Sequence, residues 1–91
     1  MSRIARRFVV SGRVQGVGFR FFTLACAARA GIDGWVRNLP DGRVEAEASG
    51  AARALDEFAR DLAAGPRGAR VEHVEMTDIE PFETRDGFRI R

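Results

Sequence analysis

The residues best placed to do chemistry in this 91-residue chain form one string, Gly12-Arg13-Val14-Gln15-Gly16-Val17-Gly18-Phe19-Arg20. The run Arg7-Phe8-Val9-Val10 before it has strand character, and the run Phe21 to Ala30 after it has helix character. Glycines at a strand-to-helix turn let the backbone curl tightly and turn successive N–H groups inward. The helix that follows adds its own unpaired N–H groups and the positive end of its dipole. Such a turn is a seat for an anion, and phosphate is the usual occupant. The expected donors are the backbone N–H groups of Gln15, Gly16, Val17, Gly18, Phe19 and Arg20. Arg20, in the first helical turn, adds a permanently charged donor that matches a phosphoryl group in two bonds. A cation at a helix N-terminus is disfavoured unless an anion joins it, which argues against a merely solvated Arg20. Rival phosphate motifs do not fit. A P-loop ends in Gly-Lys-Ser/Thr where this chain has Gly-Phe-Arg, and the dinucleotide fingerprint needs a glycine where Phe21 stands.

A second candidate is Asn38, which ends the apolar run Gly34-Trp35-Val36-Arg37-Asn38 just before Pro40-Asp41-Gly42. Its amide can accept from a water and donate to a phosphoryl oxygen at the same time. Taken alone, an asparagine there is better read as a turn starter. Trp35 and Phe19 are read as core residues. Cys26 lies among alanines with no partner that would make it a nucleophile, and it reads as a small buried hydrophobe. His73 stands alone on a later strand. The sequence has no cysteine–histidine or carboxylate cluster, so no metal and no cofactor are expected. Lysine and tyrosine are both absent, which removes Schiff-base chemistry and a phenolic acid.

The string GRVQGVGFR, the stretch Gly34-Trp35-Val36-Arg37-Asn38 and Asp41-Gly42-Arg43-Val44-Glu45 together resemble the acylphosphatase family. Gly65-Pro66 and the closing Phe88-Arg89-Ile90-Arg91 are also similar to it, so the resemblance runs from about Arg7 to Arg91. It implies a hydrolase that splits acyl phosphates into a carboxylate and inorganic phosphate. It also implies that Arg20 is the substrate-binding arginine and that Asn38 orients the attacking water, reversing the turn-starter reading. Product phosphate is then expected to compete for the same loop.

The residue inventory points to the same chemistry. Phosphoryl transfer to water needs positioning and charge stabilisation more than a protein nucleophile. The chain offers an amide cradle, an arginine and a water-orienting amide, but no obvious general acid. A phosphate monoester expels an alkoxide and usually needs a proton or a metal. An acyl phosphate expels a carboxylate, whose conjugate acid has a pKa of about 4, so no acid is required.

The elements that must hold these groups are well punctuated. Arg7–Ser11 reads as a first strand and Gly12–Gly18 as a loop. A helix from Phe19 or Arg20 to Ala30 carries Phe21, Leu24, Ala25 and Ala28 as its apolar stripe, with Gly31 as its stop. Gly34–Leu39 and Arg43–Ser49 read as a hairpin about Pro40-Asp41-Gly42. A second helix, Ala51–Ala64, places Leu55, Phe58, Ala59 and Leu62 on one side and ends at Gly65-Pro66. Arg70–Met76 reads as a fourth strand with a bulge between Val71 and Val74. Gly87–Arg91 reads as a short last strand with Phe88 and Ile90 facing in. The order βαββαβ plus a short strand is that of a ferredoxin-like α+β sandwich, with two helices on one face of a four- to five-stranded, mostly antiparallel sheet. The first and third strands are expected to be parallel neighbours.

Length and composition fit one domain over residues 1–91, able to bury about 60–65% of its unfolded surface. No apolar run approaches the roughly 20 residues of a membrane span. The lone cysteine and the absence of an apolar leader point to a cytoplasmic protein. Residues 1–32 contain six arginines and no acid, whereas residues 33–91 contain nine arginines and thirteen acids. A basic field around the anion loop would speed encounter with a small anionic substrate.

Small-molecule chemistry by a monomer, with neither nucleic acid nor membrane as partner, is the expectation. The same strand order also serves RNA recognition, but that role needs aromatic platforms on the central strands. Arg43-Val44-Glu45-Ala46-Glu47-Ala48-Ser49 has none. An acylphosphatase-like domain of a hydrogenase-maturation carbamoyltransferase is another possibility. A freestanding enzyme is preferred, because no zinc-finger-like cysteines follow. A binding-only relic fits less well, since both Arg20 and Asn38 are in place.

Overall fold

The computed structural model describes residues 2–91; Met1, the first residue of the expected domain, lies outside them. The chain runs β1 (Arg3–Arg13), α1 (Phe19–Ala30), β2 (Asp33–Asn38), β3 (Val44–Ala51), α2 (Ala52–Ala64), β4 (Arg70–Ile79) and β5 (Phe88–Ile90). The five strands form a sheet in the order β4-β1-β3-β2-β5. The period-2 alternation of the strands puts Phe8, Val10, Val36, Val44, Ala46 and Ala48 on one face. All six are buried, and they form one core with Leu55, Phe58 and Leu62 of α2 and with Phe19, Cys26 and Ala27 of α1. Both helices therefore lie on the same face, as expected of the ferredoxin-like sandwich. At the centre, Phe58 meets Phe8 edge-on at 5.4 Å and Phe88 at 5.9 Å between ring centroids.

One expectation about strand direction is overturned. β1 and β3 are neighbours, but they run antiparallel, with Val10 opposite Val44 and Ile4 opposite Gly50. The crossover through α1 makes β1 and β2 parallel to each other and leaves a gap of one strand between them. β3 returns from β2 by a tight hairpin, so it enters that gap antiparallel to both. The parallel contact is instead between β2 and β5, with Gly34 opposite Phe88 and Val36 opposite Ile90.

The stripe on α1 also differs from the periodicity. Phe19, Thr23, Cys26 and Ala27 are the buried positions, whereas Phe21 is 68% exposed and Ala25 and Ala28 face out. Almost every residue of α1 is small or apolar, so spacing alone does not choose a face. The choice is made by Phe19, whose ring enters the core as the helix starts and meets Phe22 at 5.8 Å.

The bulge lies where β4 was expected to break. The register with β1 shifts between Ser11 and Gly12, whose partners are His73 and Val71, so Glu72 is the extra residue. Gly12 allows that crowded approach, because a Cβ there would lie 2.1 Å from the Arg70 carbonyl oxygen. Beyond β4, the chain crosses the sheet face opposite the helices to reach β5. Arg3 holds this crossing, donating to Asp33 and to the Phe82 carbonyl at 3.1 Å each, while the Phe82 N–H donates to Ser49 Oγ at 3.1 Å.

Candidate active site

Sheet register brings the two candidate regions together. Val44, at the start of β3, pairs with Val10 on one side and with Asn38 on the other. β1 and β2 point the same way, so the loop that leaves β1 after Arg13 emerges at the end of the sheet where β2 ends on Asn38. The N-terminus of α1 lies at that end too, because α1 begins directly after the loop.

Val14 to Gly18 is irregular backbone anchored at both ends. Val14 is 1% exposed and Phe19 is 2% exposed, so the loop is hung from the core by these side chains. Between them, Gly16 and Gly18 take left-handed conformations with φ of 76° and 77°. Gly18 is the N-cap of α1 and offers no side chain to satisfy the helix donors, and the first turn contains no acid. The first helical bond runs from the Phe22 N–H to the Gly18 carbonyl at 3.0 Å. Among the described residues, no backbone bond is donated from Gln15 through Phe21. A Cβ on Gly16 or Gly18 would meet nothing within 4 Å, so the cradle opens to solvent. It is thus a concentration of free donors on an exposed surface rather than a cavity. A cavity of about 750 Å³ lies elsewhere, between the C-terminal end of α1 (Arg29, Ala30) and the start of α2.

Charge pairing sharpens the sequence reading. Of the arginines before Asp33, Arg3 pairs with Asp33, Arg6 with Asp56 and Asp78, Arg7 with Glu45, and Arg29 with Asp61. Arg13 and Arg20, which bracket the loop, pair with no carboxylate among the described residues. The basic excess of the N-terminal third is therefore cancelled except at the cradle. Arg20 is half-buried on the first turn of α1, beside the free N–H groups.

Asn38 is exposed at the end of β2. The turn that follows is closed by Leu39 N–H to the Arg43 carbonyl at 2.8 Å and Gly42 N–H to the Leu39 carbonyl at 3.2 Å. Asp41 accepts the Arg43 N–H at 3.1 Å, and this bond, with the Arg43 guanidinium, holds its carboxyl below its ordinary value. The side chain of Gln15 reaches the same turn, donating from Nε2 to Leu39 O at 2.8 Å and to Arg43 O at 3.0 Å. No spacing rule points to that contact, because it joins residues far apart in the chain.

Three other candidates fall outside the site. Trp35, expected in the core, lies on the sheet face opposite the helices, with the guanidinium carbons of Arg91 and Arg37 at 4.4 Å and 5.3 Å from its ring centroid. Alternation along β2 dictates this, because Gly34 and Val36 take the inward positions. Cys26 is buried as expected; burial and Asp61 push its thiol up, more than Arg29 lowers it. His73 is exposed on β4. Among the described residues, no three His, Cys, Asp or Glu side chains are grouped to hold an ion.

The fold is a ferredoxin-like α+β sandwich that carries, at one end of its sheet, free amides and an arginine unpaired among the described residues. The sequence model of the acylphosphatase family matches residues 6–90. An acylphosphatase of Anaeromyxobacter dehalogenans is 49% identical over 98% of this chain and 96% of its own. The crystal structure of acylphosphatase from Bacillus subtilis superposes with a TM-score of 0.92 at 38% identity, covering 97% of this chain and 98% of that one. Full-length HypF, solved in a phosphate- and nucleotide-bound form, matches 99% of this chain over 12% of its own, with a TM-score of 0.87 and 25% identity. The chain belongs to the acylphosphatase family, and so to the hydrolases that act on acyl phosphates.

Proposed function

We propose that the protein hydrolyses acyl phosphates without a metal, using the Gln15–Arg20 backbone cradle and the Arg20 guanidinium to hold the phosphoryl group and Asn38 to orient water. The observation that supports this reading best is the run of free N–H groups from Gln15 to Phe21, accompanied by Arg13 and Arg20, which pair with no carboxylate among the described residues. In a loose phosphoryl-transfer transition state, negative charge spreads over the equatorial oxygens, and preorganised donors aimed there lower the barrier. The amides of Gly16, Val17, Gly18 and Phe19 suit that task, because their geometry is fixed by φ at the glycines and by the buried Val14 and Phe19. Arg20 adds charge that no carboxylate pairs with among the described residues.

Asn38 Oδ1 accepts a hydrogen bond from the water and turns the water oxygen toward phosphorus. The P–O bond to the acyl oxygen breaks as the bond to water forms. The carboxylate leaves with the electron pair, and the water proton ends on the product as dihydrogen phosphate. The departing carboxylate needs no protein acid, since its conjugate acid has a pKa of about 4. The same reading takes residues 1–91 as one domain, acting as a monomer in the cytoplasm. Inorganic phosphate as product occupies the same donors. Phosphate is therefore expected to inhibit competitively, and this inhibition should weaken sharply in Arg20→Gln. Phosphate inhibition that Arg20→Gln leaves unchanged would place the substrate elsewhere.

A further inference from the structure

We propose that the Gln15 side chain is a positioning residue that couples the phosphate cradle to Asn38; this rests on the roles given to the cradle and Asn38 above. Gln15 belongs to the cradle through its backbone, yet its Nε2 donates to Leu39 O at 2.8 Å and to Arg43 O at 3.0 Å. Both acceptors are carbonyl oxygens, so only the NH₂ end of the amide can face them, and both of its hydrogens are used. Leu39 follows Asn38 directly, and Arg43 closes the neck of the same turn. One side chain thus spans both arms of the hairpin at the point where Asn38 leaves the sheet.

The turn does not need this contact to form. Leu39 N–H to Arg43 O, Gly42 N–H to Leu39 O and the Asp41 cap already close it. What Gln15 adds is a direct hydrogen-bonded link from the loop to the hairpin turn, beyond the core packing that the two share. Asn38 is exposed, its backbone pairs with Val44, and among the described residues its side chain makes no hydrogen bond. A water-orienting group must be held to a fraction of an ångström, and a misplacement of about 1 Å can cost on the order of 10²-fold in rate. The link supplies that constraint.

The test is a double-mutant cycle on the full chain, read as kcat and KM for benzoyl phosphate. Gln15→Met keeps the length of the side chain and removes both donors. It should lower kcat by about tenfold to a hundredfold, with KM and phosphate inhibition changed much less. In an Asn38→Ala background the same change should cost little, because the residue being positioned is gone. Gln15→Glu provides a second reading if Gln15→Met does not fold. A carboxylate cannot donate, but a protonated carboxyl donates one bond, so its kcat relative to wild type should rise as pH falls toward the carboxyl range, about 4.3 in model peptides. Wild-type kcat in Gln15→Met, full additivity with Asn38→Ala, or a flat Gln15→Glu ratio across pH would each overturn the proposal. If Asn38→Ala itself retains wild-type kcat, the role of Asn38 fails, and this coupling fails with it. A large Asn38→Ala loss beside a silent Gln15→Met isolates the failure to Gln15.

Discussion

Asn38 and Val10 stand at the same level of the sheet, each paired with Val44 from opposite sides of β3. The chain leaves β1 a few residues beyond Val10 to form the glycine loop, and it leaves β2 at Asn38 to form the hairpin. Two parallel strands separated by one antiparallel strand thus deliver a backbone cradle and a side-chain amide to the same end of the sheet.

Replacing Asn38 tests its role in the chemical step. Asn38→Ala should lower kcat by on the order of 10²-fold, with a smaller change in KM, because the amide acts on the water rather than on the bound phosphoryl group. The fold should be unaffected, since the side chain is exposed. Steady-state kinetics beside a circular dichroism melt checks both, and a change confined to KM contradicts the assignment.

The glycines differ in what a methyl group would meet, and stability should rank accordingly. Gly18→Ala places the new methyl in open space and is penalised by the positive φ of 77°, at about 1–2 kcal/mol. Gly34→Ala would bring a Cβ to 1.9 Å from the Glu47 carbonyl oxygen at the centre of the sheet, so the backbone must shift. Denaturant melts should show Gly34→Ala as clearly the more damaging. Phosphate binding should suffer more in Gly18→Ala than its modest stability loss would suggest.

Glu45 sets an acid limit on stability. Burial alone would push its carboxyl up, but hydrogen bonds from Arg37 and Arg7, with their charges, outweigh that and hold it below its ordinary value of 4.5. A carboxyl depressed in the folded state contributes stability that is complete above its unfolded pKa and is lost as pH falls through the folded one. Glu45→Gln should flatten this part of the profile and lower stability at neutral pH, on the order of 1–3 kcal/mol for the lost charged hydrogen bonds. Urea melts from neutral to acid pH decide it; parallel wild-type and variant curves contradict the account.

Phosphate should also protect the fold. A ligand that binds only the native state adds about 2.7 kcal/mol at a hundred times its dissociation constant. Thermal melts in phosphate should therefore shift upward for wild type and not for Arg20→Gln, whereas chloride at matched ionic strength should shift neither.

The cradle was legible in the sequence because its requirements are local. Left-handed turns demand glycine at Gly16 and Gly18, and the helix start fixes where the free N–H groups lie. The hairpin, the second helix and the bulge at Glu72 were legible for the same reason. What was not legible depends on partners distant in the chain. The apolar surface of α1 has no preferred side until Phe19 enters the core. Trp35 is turned outward by the parity of β2 and then covered by Arg37 and Arg91. The direction of β1 against β3 follows from inserting a hairpin strand into a crossover gap, which neither segment signals by itself. The neutralisation of most N-terminal arginines and the Gln15 bonds to the hairpin likewise join residues far apart.

The most direct measurement is hydrolysis of benzoyl phosphate by the purified protein with EDTA present, beside Arg20→Gln. The account predicts rapid turnover by the wild type and a loss of at least 10²- to 10³-fold, on the order seen when one preorganised donor is removed, in a variant that still folds. Wild-type activity that EDTA abolishes, or near-normal turnover by a folded Arg20→Gln protein, would contradict a metal-free mechanism built on the cradle and its arginine.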